Sequence, residues 1–195
     1  MIKIKSVEVL VYRYPLKTIV QTSFGTMHDR PMVLVKLIDE DDYVGVGEVW
    51  CNFPAVGAEH RARLIDSVFT PLLTMEPFDS PASAFELLTR KTWVLGLQTG
   101  EFGPIAQCIA GIDIAFHDLM ARRDETPLWK YLGGVSDSVE TYASGINPTD
   151  AEKTAEAALK SGYRALKLKI GFNPAHDIQN IKSLRTLLGE NGQLM

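Results

Sequence analysis

The 195 residues are 46% hydrophobic and 23% charged, with a formal net charge of -4, a composition typical of a folded globular domain and unlike that of disordered or fibrous chains. No block of like charge marks a nucleic-acid or membrane surface, no apolar run is long enough to cross a bilayer, and Met1-Ile2-Lys3-Ile4-Lys5-Ser6-Val7-Glu8 lacks the apolar core of a secretion signal. A cytoplasmic protein without nucleic-acid or membrane partners is expected. Cys51 and Cys108 lack metal-type spacing and are expected to be two unpaired thiols.

Residues 2–14 alternate, with Ile4, Val7, Val9, Val11 and Tyr14 among the β-favouring types, and predict a first strand that Pro15 ends. From Leu16 to Arg30 the chain reads as a polar, glycine-bearing loop that includes Thr22, Ser23, Phe24, Gly25, His28 and Arg30. Its length suggests a functional or mobile segment. Residues 32–38 and 43–50 predict two further strands around the acidic turn Asp39-Glu40-Asp41-Asp42, and residues 51–57 a second loop. Glu48 reads as structural.

Helices are predicted over residues 59–73, 83–94 and 104–123, with a loop at 96–103. On the third, Ile105, Cys108, Ile109, Ile112, Phe116, Leu119 and Met120 recur at helical spacing and predict a buried stripe. His117 and Asp118 are consecutive, so they do not face each other, and Asp118 is expected to be a structural acid bridging to the following domain. His60 and His176 are expected at exposed or capping positions. Gly100 and Gly103 lack the lysine and hydroxyl spacing of a phosphate loop.

Beyond residue 134 the pattern changes. An apolar run at 139–146 precedes a helix that starts near Pro148-Thr149-Asp150 and stops at Ser161-Gly162. The strand Ala165-Leu166-Lys167-Leu168-Lys169-Ile170 follows, and Asn173-Pro174 opens another helix, whose apolar positions are Ile178, Ile181, Leu184, Leu187 and Leu188. Strand, helix, strand, helix implies a parallel sheet.

Side chains alternate along a strand, so Lys167 and Lys169 share one face, about 7 Å apart, with Leu166, Leu168 and Ile170 on the other. Lysine at every second residue usually marks a watered face. Parallel strands, however, are normally covered on both faces, so this pair is expected to line a cavity or an open barrel mouth. Two ammonium groups held that close disfavour each other's charge, which yields an amine able to act as a base.

The Lys167-x-Lys169 strand resembles the lysine motif of the mandelate racemase and muconate-lactonizing branch of the enolase superfamily. The block Ala110-Gly111-Ile112-Asp113-Ile114-Ala115-Phe116-His117-Asp118-Leu119, then Ala121-Arg122, then Pro127-Leu128-Trp129-Lys130-Tyr131-Leu132-Gly133-Gly134 is similar to that family's first signature. Cys108, Phe116 and Tyr131 depart from it. The resemblance implies an α+β capping domain at 1–134, a three-stranded antiparallel sheet plus helices, followed at 135–195 by the first two strand-helix units of a (β/α)8 TIM-type barrel. A complete barrel takes about 250 residues, so the barrel is expected to be incomplete here, with its acidic metal ligands beyond Met195.

The same resemblance implies an Mg²⁺-dependent enzyme that removes the proton next to a carboxylate, with Lys169 as base and Lys167 as its cationic neighbour on the substrate carboxylate. It also implies that the two capping loops shape the substrate pocket, which makes His28, Arg30, Trp50 and Phe53 candidates for substrate contact. Arg30 is the most attractive, since a guanidinium can pair with a carboxylate through two parallel hydrogen bonds. The expected reaction is dehydration of a sugar acid by a homo-oligomer. The alternatives are a racemase or epimerase, a muconate-type cycloisomerase, a barrel lysine forming a Schiff base, or an inactive capping fragment that only associates with a partner chain.

Overall fold

Three N-terminal strands pair antiparallel in the order in which they occur: β1 (Ile4–Thr22), β2 (Gly25–Asp39) and β3 (Val44–Val49). The computed structural model describes residues 1–22 and 25–195, with backbone alone for Thr18, Gln21 and Thr22. Alternation sets the two faces of the sheet. Val33, Val35 and Leu37 are fully buried, opposite Val11, Val9 and Val7 of β1, while Met32, Leu34 and Lys36 between them are only half-buried.

Two expectations are corrected here. The first strand does not end at Pro15, and residues 16–30 are not a loop within the described part: β1 runs on to Thr22 and β2 begins at Gly25. The ladder slips between Pro15↔Asp29 and Val20↔Met27. A proline can remain in a strand where the register is already irregular, because the missing N–H then costs no regular ladder bond. Ser23 and Phe24, and the side chain of Thr22, lie outside the described residues.

Residues 57–75 form one continuous helical run, comprising α1 (Gly57–Leu64), a π-helical stretch (Ile65–Phe69) and α2 (Thr70–Met75). Helix α3 (Pro81–Thr99) opens on a capping box in which Ser80 Oγ accepts from Ser83 N at 3.1 Å and Ser83 Oγ accepts from Ser80 N at 3.0 Å. It continues past Val94 to Thr99 and does not break at Gly96. Gly96 is used for close packing: a Cβ there would lie 2.7 Å from the ring of Phe102. The expected loop therefore shrinks to Gly100, whose φ of 70° ends the helix, and Glu101.

Helix α4 (Phe102–Arg123) buries Ile105, Cys108, Ile109, Ile112, Phe116 and Leu119 as its spacing predicts, with Met120 at the edge of the core. It lies against β3 with almost no room between backbones. A Cβ at Gly45 would come within 2.0 Å of the Ala115 carbonyl oxygen, one at Gly47 within 1.9 Å of the Gly111 oxygen, and one at Gly111 within 2.3 Å of Val49 Cγ2. The short helix α5 (Leu128–Tyr131) follows.

The chain divides into two compact units, Met1–Val135 and Ser136–Met195. The second contains β4 (Ala143–Ile146), α6 (Ala151–Lys160), β5 (Ala165–Leu168), α7 (Pro174–Leu188) and β6 (Gln193–Leu194), with the strands parallel in the order β4-β5-β6. Its first strand is shorter than the apolar run at 139–146, and Val139 is exposed. Ile146, Ala151, Ala155, Leu166, Leu168 and Leu184 form its core. Among the described residues, no helix is long and apolar enough to cross a membrane.

Candidate functional site

In the second unit Lys167 stands where alternation puts it, and Lys169 follows the last residue of β5. Leu166 and Leu168 are buried, Lys167 is exposed and Lys169 is half-buried. Lys167 Nζ lies 5.7 Å from the centroid of the Tyr142 ring, within cation–π range. At the C-terminal end of the sheet, Leu168 N donates to Met195 O at 2.9 Å and Lys169 N to Ile146 O at 3.0 Å, so Lys169 is held by its backbone just past the end of β5.

Here too the sequence reading needs correction. Ile170 does not join Leu166 and Leu168 in the core but is exposed, because β5 ends at Leu168 and the chain turns at Gly171, where φ is 97°. The turn is tied to α7: Gly171 N donates to Oδ2 of the buried Asp177 at 2.9 Å, and Asn173 Oδ1 caps the helix by accepting from His176 N at 3.1 Å. Ile178 and Ile181 on α7 are exposed as well. Taken by itself, this unit covers one face of its sheet and leaves Lys167 open, so it does not enclose the pair in the expected cavity. A cavity of about 690 Å³ opens at the opposite, N-terminal ends of the strands, lined by Tyr142, Tyr163, Arg164 and Gln193.

In the first unit the four substrate-contact candidates separate into two groups. Arg30 and Trp50 line a groove of about 590 Å³ with Tyr12, Tyr14, Met32 and Glu48. These even-numbered residues occupy the sheet face away from the helices. His28 and Phe53 line a smaller cavity of about 180 Å³ with Met27, Asp29 and Ala55. Arg13, Pro31 and Asn52 border both. Glu48, read as structural, is exposed and has no ion pair or side-chain hydrogen bond among the described residues.

Arg13 organises this region, and sequence reasoning did not find it. Its Nε donates to Glu59 Oε1 at 2.9 Å, Nη1 to Asp29 Oδ1 and Oδ2 at 2.9 and 3.2 Å, and Nη2 to Glu59 Oε2 and Ala55 O, both at 2.7 Å. The hydrogen bond from Arg13 holds the Glu59 carboxyl below the usual carboxylate range, and the same pairing raises the guanidinium. A signal was present in the sequence. Arg13 pairs with the buried Pro31 on the helix-facing parity of β1, where alternation calls for an apolar residue.

Arg61 is a second unforeseen arginine and is almost fully buried. Its Nε and Nη2 donate to Gln107 Oε1 at 3.0 and 2.8 Å, and Nη1 and Nη2 reach the carbonyls of Gly57 and Phe53, both at 3.4 Å. The segment after β3 is thus held at three carbonyls by two guanidinium groups.

Asp118 is structural. Its Oδ2 accepts from Val46 N and from Arg122 Nε, each at 2.9 Å, so it satisfies an amide of the edge strand β3. His117 Nε2 lies 3.7 Å from Asp113 Oδ1 one helical turn away, and His60 Nε2 3.2 Å from Glu101 Oε1. Both cysteines are free and buried, and burial pushes the Cys108 thiol up to about 12. Among the described residues, no three His, Cys, Asp or Glu side chains come together as a metal site.

Residues 1–133 match the model of the mandelate racemase / muconate lactonizing enzyme N-terminal domain. The chain belongs to this family. Among curated relatives, it is 30% identical to a 3,6-anhydro-alpha-L-galactonate cycloisomerase of Streptomyces coelicolor over 98% of the chain and 53% of that protein. It is 32% identical to an N-succinylamino acid racemase of Thermus thermophilus over 96% of the chain and 49% of that protein, and 29% identical to an arabinonate dehydratase of Saccharolobus solfataricus over 84% and 44%. Among solved structures, a mandelate racemase/muconate lactonizing enzyme from Bordetella bronchiseptica RB50 superposes with a TM-score of 0.91 at 52% identity, covering 100% of this chain and 50% of that one. A Streptomyces coelicolor racemase crystallised with bound magnesium superposes at 0.85 with 27% identity, over 100% and 54%. The chain spans about half the length of the curated relatives it matches.

Proposed function

We propose that this chain supplies the capping hairpin and the lysine strand of an enzyme that removes the proton next to a carboxylate, with a sugar acid as substrate and loss of water as the outcome. The observation that supports the reading is the position of Lys167 on the exposed side of β5 and of Lys169 just past its C-terminal end, in a parallel strand-helix-strand-helix-strand unit. In parallel α/β folds that end of the sheet is where side chains meet ligands. In this reading Lys169, half-buried and held at the strand end, takes the proton. Lys167, exposed and over the Tyr142 ring, pairs with the substrate carboxylate. His28, Arg30, Trp50 and Phe53 shape the cover over the substrate.

Magnesium, bound in a solved relative, would supply charge stabilisation for a carboxylate that has lost its neighbouring proton. The named activities of the relatives support the substrate class in two cases, a galactonate derivative and arabinonate. They also support a second reading, 1,1-proton transfer on an N-acylamino acid, through the racemase relative. Cytoplasmic location and a homo-oligomeric state go with both readings, and mass photometry of the full-length protein tests the latter.

The test of function is proton NMR in D₂O of the full-length protein with Mg²⁺ and a panel of aldonic and N-acylamino acids. Loss of the proton next to the carboxylate with appearance of a 2-keto-3-deoxy acid carrying deuterium at C3 is the expected result. Exchange without loss of water moves the reading to a racemase, and a cyclised product to a cycloisomerase. A covalent adduct trapped by borohydride, without exchange, replaces it with Schiff-base chemistry.

A further inference from the structure

We infer that Arg13 is a positioning residue that locks the hairpin end around His28 and Arg30 to the segment around Asn52 and Phe53, so that the two walls of the small cavity move as one body. Four separate pieces of chain meet at this one guanidinium: β1 through Arg13 itself, β2 through Asp29, the segment after β3 through the Ala55 carbonyl, and α1 through Glu59. Each of the three guanidinium nitrogens donates to at least one of these acceptors. That geometry suits arginine alone, since a lysine ammonium is a compact point charge without two parallel donors on each edge.

An ion pair this close to water is ordinarily worth little. The exceptions are bidentate arginine–carboxylate pairs and networks, and this cluster is both. Arg61 holds Phe53 and Gly57 toward α4 through Gln107, and the β1–β2 ladder is irregular between Pro15 and Val20, immediately next to Arg13 and Asp29. Arg13 joins the two walls directly through Asp29 and the Ala55 carbonyl.

The inference is tested by hydrogen exchange of the full-length protein. In Arg13→Gln, amides of residues 25–31 and of residues 51–57 are expected to exchange together, each roughly tenfold faster, with the helices at 81–123 unchanged. Asp29→Asn is expected to free the 25–31 segment alone, and to add nothing in the Arg13→Gln background. Arg13→Lys keeps the charge without the fork and is expected to restore protection only in part. It also carries the test, in combination with Asp29→Asn, if Arg13→Gln does not fold. The idea fails if the two segments respond separately to loss of Arg13, or if Asp29→Asn and the Arg13 change are additive. A kinetic arm rests on the proposed function: with a carboxylate substrate that the enzyme turns over, KM is expected to rise about tenfold and kcat to change less than about threefold. Because exchange needs no turnover, failure of the lock and failure of the functional reading are distinguishable.

Discussion

The two units of this chain build cores of very different size. In the first, a sheet, a long helical run and two long helices surround one core from Ile2 to Leu119, with Phe69, Phe116, Leu37 and Ile112 fully buried. In the second, a small core forms between three short parallel strands and two helices, while Val139, Ile170, Phe172, Ile178 and Ile181 stay exposed. The substrate-cover candidates sit on the self-sufficient unit, and the lysine pair on the unit whose sheet has an open face. The chemistry proposed for Lys167 and Lys169 therefore depends on surroundings that this second unit does not itself supply.

The largest expected effect follows directly from that contrast. Residues 1–135 expressed alone are expected to melt cooperatively by circular dichroism, whereas residues 136–195 alone are expected to show no cooperative transition or to self-associate. A monomeric, sharply melting 136–195 would abolish the distinction. Within the first unit, Gly47→Ala is expected to cost about 3 kcal/mol in chemical denaturation, because its Cβ would meet the Gly111 carbonyl oxygen of α4. Gly103→Ala meets nothing within 4 Å and is expected to leave stability nearly unchanged.

Smaller effects sharpen the picture of the first core. Burial raises both thiols, that of Cys108 to about 12. The unfolded chain ionises its thiols near pH 9 while the folded one does not, so this contribution is whole below about 9 and declines as pH rises toward 12, by at most about 1.4 kcal/mol per unit for each thiol. Denaturation of Cys108→Ala against wild type across that range checks it, the variant showing the shallower alkaline decline. Glu59 shifts the other way. Its lowered carboxyl contributes stability above its ordinary value of 4.5 that is lost as pH falls below it. Being partly exposed, it contributes less than about 1 kcal/mol, and Glu59→Gln is expected to flatten the acid limb of the curve by that amount.

How much of this was legible in the sequence depended on the period of the signal. The stripe on α4 and the alternation of Leu166, Lys167 and Leu168 could be read directly, because each repeats with a fixed period and faces one core. The hairpin end reads as a loop because Pro15, Gly25 and a polar run are turn signals, and a strand pairing with a slipped register leaves no alternation to detect. Gly96 was misread as a break because glycine in a close helix contact looks the same in sequence as glycine in a turn. Of the candidate site, the lysines stood out by spacing. Arg13, Arg61 and Asp177 did not, since their importance lies in acceptors brought together from elsewhere in the fold.

The central claim concerns Lys169, and it is tested most directly by the rate at which the full-length protein exchanges the proton next to the carboxylate of an accepted substrate in D₂O. Lys169→Met is expected to slow that exchange by about 10³-fold, the usual contribution of a general base, with an unchanged circular dichroism spectrum and an unchanged melting profile. Exchange at the wild-type rate in the folded Lys169→Met variant would contradict the account.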